Sequence, residues 1–401
     1  MSELSSHTND THDGSSSSNN NILPSPDILR HIVDVHCHPT DSWPVRTDAM
    51  QDLGITICAM SSMASDQSKV KELASSYPEK VVPCFEAFVN WLQAEVWPNI
   101  CYHPWFSYYI SISASPPSKE EHYRNLLLSD TSRSKDKDNV SAKITDDDDW
   151  ENEFLSLLAT LPEPRLLSSV LTELRENFSL FPHAMLGEVG LDRIFRVPED
   201  YFASPRVLTP FTIPIEHQVQ ILEAQIELAI ELGRNVSIHS VKSQQQTVDL
   251  LARLKTKHGA QFNKISIDMH SCGLNPQKKH ENVFLSLSTV INHKHANHRA
   301  LIAACSPNRI LAESDYNTVD MCTTQTWDMI KIIAEVKGWP VETEWVENED
   351  DLKEEEWGVV RRLEKNWLRF KNGNHPFKEK KNRRIRKQHD YHSEESDIVT
   401  K

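Results

Sequence analysis

Residues 33–40 read "VDVHCHPT", an apolar run that ends in two histidines separated by one cysteine. Side chains on a strand alternate in direction, so His36 and His38 project to one side and Cys37 to the other. An isolated His-x-His is more often structural than a ligand pair, so partners elsewhere in the chain have to decide whether these imidazoles hold a cation.

Seven further runs share the character of the first. They are "ITICAMSS" (55–62), "VVPCF" (81–85), "AMLGEVGLD" (184–192), "NVSIHS" (235–240), "KISIDMHS" (264–271), "VFLSLS" (283–288) and "RILAESD" (309–315). With "HIVDVHCH" (31–38) they make eight candidate strands. Their near-continuous apolar content predicts strands buried on both faces, as in a parallel sheet. Between two of them, "IEHQVQILEAQIELAIELG" places Ile215, Val219, Leu222, Ile226 and Leu232 at helical spacing, with Gly233 where a C-cap belongs. Eight strands alternating with helices predict a (β/α)8 TIM barrel, with a doubly wound open sheet as the second choice.

Five of these strands run apolar first and end in metal-capable side chains. His36 and His38 end the first; Glu188 and Asp192 the fourth; His239 the fifth; His270 the sixth; Glu313 and Asp315 the eighth. Barrel active sites are built at the C-terminal ends of the strands, where residues distant in sequence converge. Taken singly, each of these residues is a cap, an ion-pair member or a hydrogen-bonded histidine. Together, the four histidines with two of these carboxylates, Glu188 and Asp315, on five strands suit one or two divalent cations, imidazoles holding borderline metals and a carboxylate bridging two ions.

Composition narrows the partners. With Lys+Arg 43 against Asp+Glu 58, a formal charge of −15 leaves little basic surface to coat DNA, although a nuclease can meet phosphate through bound cations. The seven cysteines form no C-x-x-C, and with no signal peptide at the start they read as reduced thiols in an intracellular protein. No apolar run reaches the ~18 residues of a membrane span, so no membrane partner is expected. Cytoplasmic or nuclear residence follows as the expectation.

Residues 1–27 are Ser/Asn-rich and read as a disordered leader, and 112–149 as a disordered insertion ending in four solvated aspartates. The barrel is expected over 28–340 and a charged extension over 341–401. In that extension Trp345, Trp357 and Trp367 suggest a helix packed on the barrel, with Arg361, Arg362 and Lys365 on its wet face. The basic run 378–388 reads equally as an import signal or as a solvated tail.

The motifs "DVHCHP", "GEVGLD", "SIHS", "DMHSCG" and "RILAESD", in this order, resemble the TatD-type metal-dependent deoxyribonucleases, a branch of the amidohydrolase-like barrels. The resemblance spans about 31–335. "PCF" with "YHPWFS" resembles the fungal branch, one member of which is reported to associate with the anaphase-promoting complex. The resemblance implies two divalent ions (Mg, Mn or Zn): His36, His38 and Asp315 on the first, Glu188 bridging, His239 and His270 on the second. It further implies that His103 contacts substrate and that Glu188 and Asp315 are the catalytic carboxylates. The implied activity is hydrolysis of DNA phosphodiesters, in several relatives from the 3′ end. An aspartate beside a metal-activated water orients it or takes its proton.

Three departures from the family pattern stand out. Val241 and Lys242 replace an arginine expected after the fifth-strand histidine, and Glu313-Ser314-Asp315 runs into Tyr316-Asn317 rather than Ala-Pro. Residues 86–101, "EAFVNWLQAEVWPNIC", interrupt a family block, either as a docking helix or as translated intron. The second is preferred, because the interruption would displace His103. The altered rim keeps two alternatives open, a hydrolase of a small amide, ester or nucleotide, and an adaptor for a cell-cycle complex.

Overall fold

The protein is described by a computed structural model over residues 22–61, 64–85, 103–129, 131–132, 147–273, 275–348 and 352–377. The interruption 86–101, most of the leader, residues 133–146 and the basic run lie outside the described residues.

All eight expected strands are present: β1 Val33–Cys37, β2 Thr56–Met60, β3 Val81–Phe85, β4 Met185–Asp192, β5 Val236–Val241, β6 Ile267–Met269, β7 Val283–Leu287 and β8 Ile310–Ala312. They lie side by side in chain order and every pairing is parallel. The first and last strands meet at a seam, where Asp315 N donates to His36 O (2.9 Å) and His38 N donates to Tyr316 O (2.8 Å). The expected barrel is therefore the observed fold, and the open sheet is not.

Both faces of the strands are buried, which explains why their sequences read apolar throughout. Ile57, Ala59, Val236, Ile238, Ile267, Met269, Leu285 and Ile310 pack outward into the helical layer. Val35, Cys58, Cys84, Met185, Phe284 and Leu311 alternate with them and form a separate inner cluster. Among the outer helices, Ile215–Leu232 ends as expected, on Gly233 at φ 66°.

The base of the inner cluster is covered by the helix Val359–Asn372, whose Trp367 and Phe370 join it. Side-chain hydrogen bonds run both ways between helix and barrel: Asn235 Nδ2, from the barrel, donates to Phe370 O (2.9 Å), and Asn366 Nδ2, from the helix, donates to Ile310 O (2.9 Å). The helix that the extension was expected to pack on the barrel is therefore present. One expectation is corrected here: Arg361 is not on a wet face. It is 5% exposed, with its guanidinium 4.2 Å from the Trp345 ring centroid. A second correction falls within 112–149. Residues Lys119–Leu127 form a helix capped by Ser118, whose Oγ accepts from Glu121 N (3.2 Å), and a second helix starts at Asp147. Tyr123, Leu127 and Phe154 bury their side chains with Val197 and Phe211 in a small core of their own. Such spaced apolar residues offset the ordering entropy that the flanking polar run cannot.

The six described cysteines are free and buried, which agrees with reduced thiols acting as small hydrophobes. Among the described residues no helix is long and apolar enough to cross a membrane.

If the terminal helix closes the barrel, Phe370→Ala should cost about 3–5 kcal/mol, because the ring is 1% exposed and leaves a cavity. Urea unfolding measures this, and a loss below about 1 kcal/mol would show that the helix merely leans on the base.

Candidate metal centre

Sequence alternation alone does not aim every ligand inward; two local irregularities complete the task. In β1, Asp34 is opposite Ile57 and Cys37 opposite Ala59, so three steps of one strand span two of the other. This bulge lets Val35 and His36 both turn inward while Asp34 and Cys37 face the helices. In β4 a second slip, between Leu186 and Glu188, turns Glu188 inward between the outward Leu186 and Val189. Gly190 lies where β4 and β5 approach most closely. A Cβ there would sit 2.0 Å from His239 O, so only glycine fits.

The loops just past β5, β6 and β8 contribute strain. Lys242, Ser271 and Asp315 have φ of 51°, 39° and 54°, the left-handed region that residues other than glycine seldom enter. Three such residues at one mouth mark it as a site whose geometry is held against local preference.

Glu188 is the hub. Its Oε2 lies 3.5 Å from His36 Nε2 and 3.3 Å from His38 Nε2. Its Oε1 lies 2.9 Å from His239 Nδ1, 3.3 Å from His103 Nε2 and 3.6 Å from His270 Nε2. Asp315 completes the first side, with Oδ1 3.5 Å from His38 Nε2. All seven expected site residues therefore meet at one mouth, His103 included, so the interruption at 86–101 does not displace it. The grouping differs in one respect from the implied set. Residues with mutually close ligand atoms are His36–His38–Glu188 on one side, His103–Glu188–His239 on the other, and His36–His270–Glu313 as a third group. His103, expected as a substrate contact, thus stands at ligand distance, while His270 is shared with Glu313.

Several orienting groups were not legible as such. Glu313 Oε1 lies 3.0 Å from His270 Nδ1, and Ser237 Oγ 3.0 Å from His36 Nδ1. Asp192 Oδ2 lies 3.5 Å from His239 Nε2 and accepts from Trp105 Nε1 (2.6 Å). Glu313 and Asp192 were visible as strand-end carboxylates, but nothing in their spacing separated an orienting role from ligation. Ser237 carried no signal at all.

The charge balance follows from burial opposed by neighbours. Burial would raise the Glu188 carboxyl, but His103, His239 and His36 hold it well below the usual range. Burial lowers His103 to about 4. It also lowers His36, with the adjacent His270 adding to the effect; the two rings stack with centroids 3.5 Å apart. Burial opposes charge on His239 and His270 too, yet the surrounding carboxylates raise them to about 9 and about 10.

The donor set fits a cation. His36 is fully buried, its Nδ1 is engaged by Ser237, and its Nε2 finds no hydrogen bond among the described residues. An imidazole anchored through one nitrogen, with the other turned to a carboxylate that can share a cation, is placed as a ligand. His239 Nε2 and Glu313 Oε2 are likewise buried without a hydrogen bond among the described residues.

A closed parallel barrel with imidazoles and carboxylates gathered at its C-terminal mouth defines a hydrolase of the metal-dependent barrel class. The chain belongs to the TatD related DNase family, whose model matches residues 33–348. Among curated relatives, it is 27% identical over 360 residues to the Cut9-interacting protein scn1 of Schizosaccharomyces pombe, covering 78% of this chain and 95% of that protein. It is 27% identical over 307 residues to the uncharacterized deoxyribonuclease YMR262W of Saccharomyces cerevisiae, covering 72% and 84%. The crystal structure of YJJV, a TatD homologue from Escherichia coli K12, aligns over 87% of this chain and 100% of its own, at 15% identity and TM-score 0.46.

Glu313→Gln keeps the volume and removes the charge behind His270. Zinc or manganese affinity should fall about 10–100-fold by competition with a chelating dye. An unchanged affinity would reduce Glu313 to filling space.

Proposed function

We propose that this chain is a two-metal phosphodiesterase that hydrolyses DNA. The observation that carries the reading is the single buried carboxylate of Glu188, which turns one oxygen to His36 and His38 and the other to His103, His239 and His270. That division is the one a bridging ligand between two cations needs. His36, His38 and Asp315 would hold one ion, and His239 with His270 or His103 the other. Bound divalent ions supply Lewis acidity and lower the pKa of water to near neutral.

The rest of the work falls to the chain. Burial would raise the Asp315 carboxyl, but His270, His38 and His36 hold it below its ordinary value. It is thus an ionised acceptor at neutral pH, suited to orient a water or take its proton. Its side chain keeps 12% of its surface open, whereas Glu188 keeps 7%, so Asp315 is the better placed of the two to meet substrate. His103 lies beside Glu188 and Trp105 at the same mouth and would contact phosphate from that side. Digestion from the 3′ end is the direction that the family resemblance implies.

Purified protein given Mn²⁺, Mg²⁺ or Zn²⁺ should degrade an end-labelled DNA oligonucleotide, and EDTA should stop it. His36→Ala with His38→Ala should lower the rate by at least about a hundredfold. Cleavage of chromogenic phosphodiesters or amides with DNA left intact would replace DNA by a small substrate. The name of the fission-yeast relative favours a second reading, in which this chain also binds a Cut9-like protein. In a pull-down with the same double variant, such binding survives loss of the ligands if it is independent of catalysis.

A further inference from the structure

The loop after β4 holds an antiparallel hairpin, Arg196–Pro198 against Leu208–Thr212, that the barrel does not need. Its residues Ile194, Phe202, Val207 and Leu208 are between 41% and 58% exposed, an unusual density of open apolar surface within fifteen residues.

The root of this hairpin is tied to the metal centre. Asp192 Oδ1 accepts from Ile194 N (2.9 Å) and Phe195 N (3.1 Å), while its Oδ2 holds the Trp105 indole and faces His239. Trp105 stands edge-on to His103 at 4.6 Å and stacks on Phe195 at 5.3 Å and 12°. The adjacent Phe106 meets Tyr201 at 4.7 Å, Tyr201 meets Phe202 at 5.5 Å, and the Arg206 guanidinium lies 4.0 Å from the Tyr201 centroid. Two ring stacks thus start from neighbouring residues of one short helix: His103–Trp105–Phe195 at the site, and Phe106–Tyr201–Phe202, which ends on an exposed phenylalanine and carries Arg206 over its tyrosine.

We propose that Trp105 and the hairpin 194–208 form a nucleobase-stacking subsite, which seats single-stranded DNA beside the metal centre with Arg206 toward its phosphate. The inference rests on the DNA reading above. Aromatic faces next to an arginine suit an unpaired base and its phosphate, since every base offers a π face. The overall charge of −15 leaves little general attraction for a polyanion, so stacking has to supply affinity that charge does not.

The test uses the full chain in EDTA and follows fluorescence anisotropy of a labelled eight-nucleotide dT oligomer and of an abasic oligomer of equal length. Wild type should bind the base-bearing oligomer at least about fivefold more tightly. Phe202→Ala should erase that preference with an unchanged melting temperature, and Arg206→Ala should weaken both oligomers alike. Equal affinity of wild type for the two oligomers overturns the subsite, as does a preference that survives Phe202→Ala. A concentration-dependent dimer abolished by Phe202→Ala would assign the patch to self-association instead. Because no cleavage is needed, binding without metal-dependent cutting contradicts the nuclease reading alone, and cutting without base preference contradicts the subsite alone.

Discussion

The structure turns on the burial of Glu188 among five imidazoles. A lone carboxylate at 5% exposure would take up a proton, because desolvation penalises its charge. Here His36, His38, His103, His239 and His270 surround it, and the cluster stays ionised by sharing protons unequally. Neighbouring carboxylates strengthen the hold of His38, His239 and His270 on their protons, while burial weakens that of His36 and His103. A divalent cation would take over the place of these protons, so uptake of metal and release of protons are coupled in this mouth. The same charges explain the supporting carboxylates: Asp192 and Glu313 each stand behind one imidazole, His239 and His270, and Asp315 stands beside His38 and His270.

Holding such a cluster requires a backbone that gives up regularity where the ligands emerge. The bulge in β1 and the slip in β4 turn His36 and Glu188 inward, and Gly190 lets β5 approach β4 closely enough for His239 to reach Glu188. The seam is closed at the same level, by hydrogen bonds from Asp315 N and His38 N. Below the mouth, Ser286 Oγ donates to Asp268 (2.6 Å), and the apolar inner cluster ends on Trp367 and Phe370. The barrel is thus polar at the top, packed at the bottom, and shut by the helix Val359–Asn372.

Much of this was legible in the sequence, and for identifiable reasons. Strands buried on both faces must read apolar throughout, so all eight could be located, and polar residues at their ends could be assigned to one mouth. Bulges leave no such mark, because inserting one residue into "VDVHCH" changes no residue type. Orienting contacts such as Ser237 to His36 were hidden because a strand serine is chemically unremarkable. Arg361 misled because a charge in an amphipathic helix usually faces water, whereas here its guanidinium lies over the Trp345 ring. The helix Lys119–Leu127 was missed because its four buried residues sit in a polar surround.

Metal content measured by plasma mass spectrometry on wild type and on Glu188→Gln, each loaded with zinc or manganese and desalted, bears most directly on the bridging carboxylate. Two ions per chain in wild type and at most one in the variant is the predicted result. Two ions retained by Glu188→Gln, or no more than one bound by wild type, would contradict it.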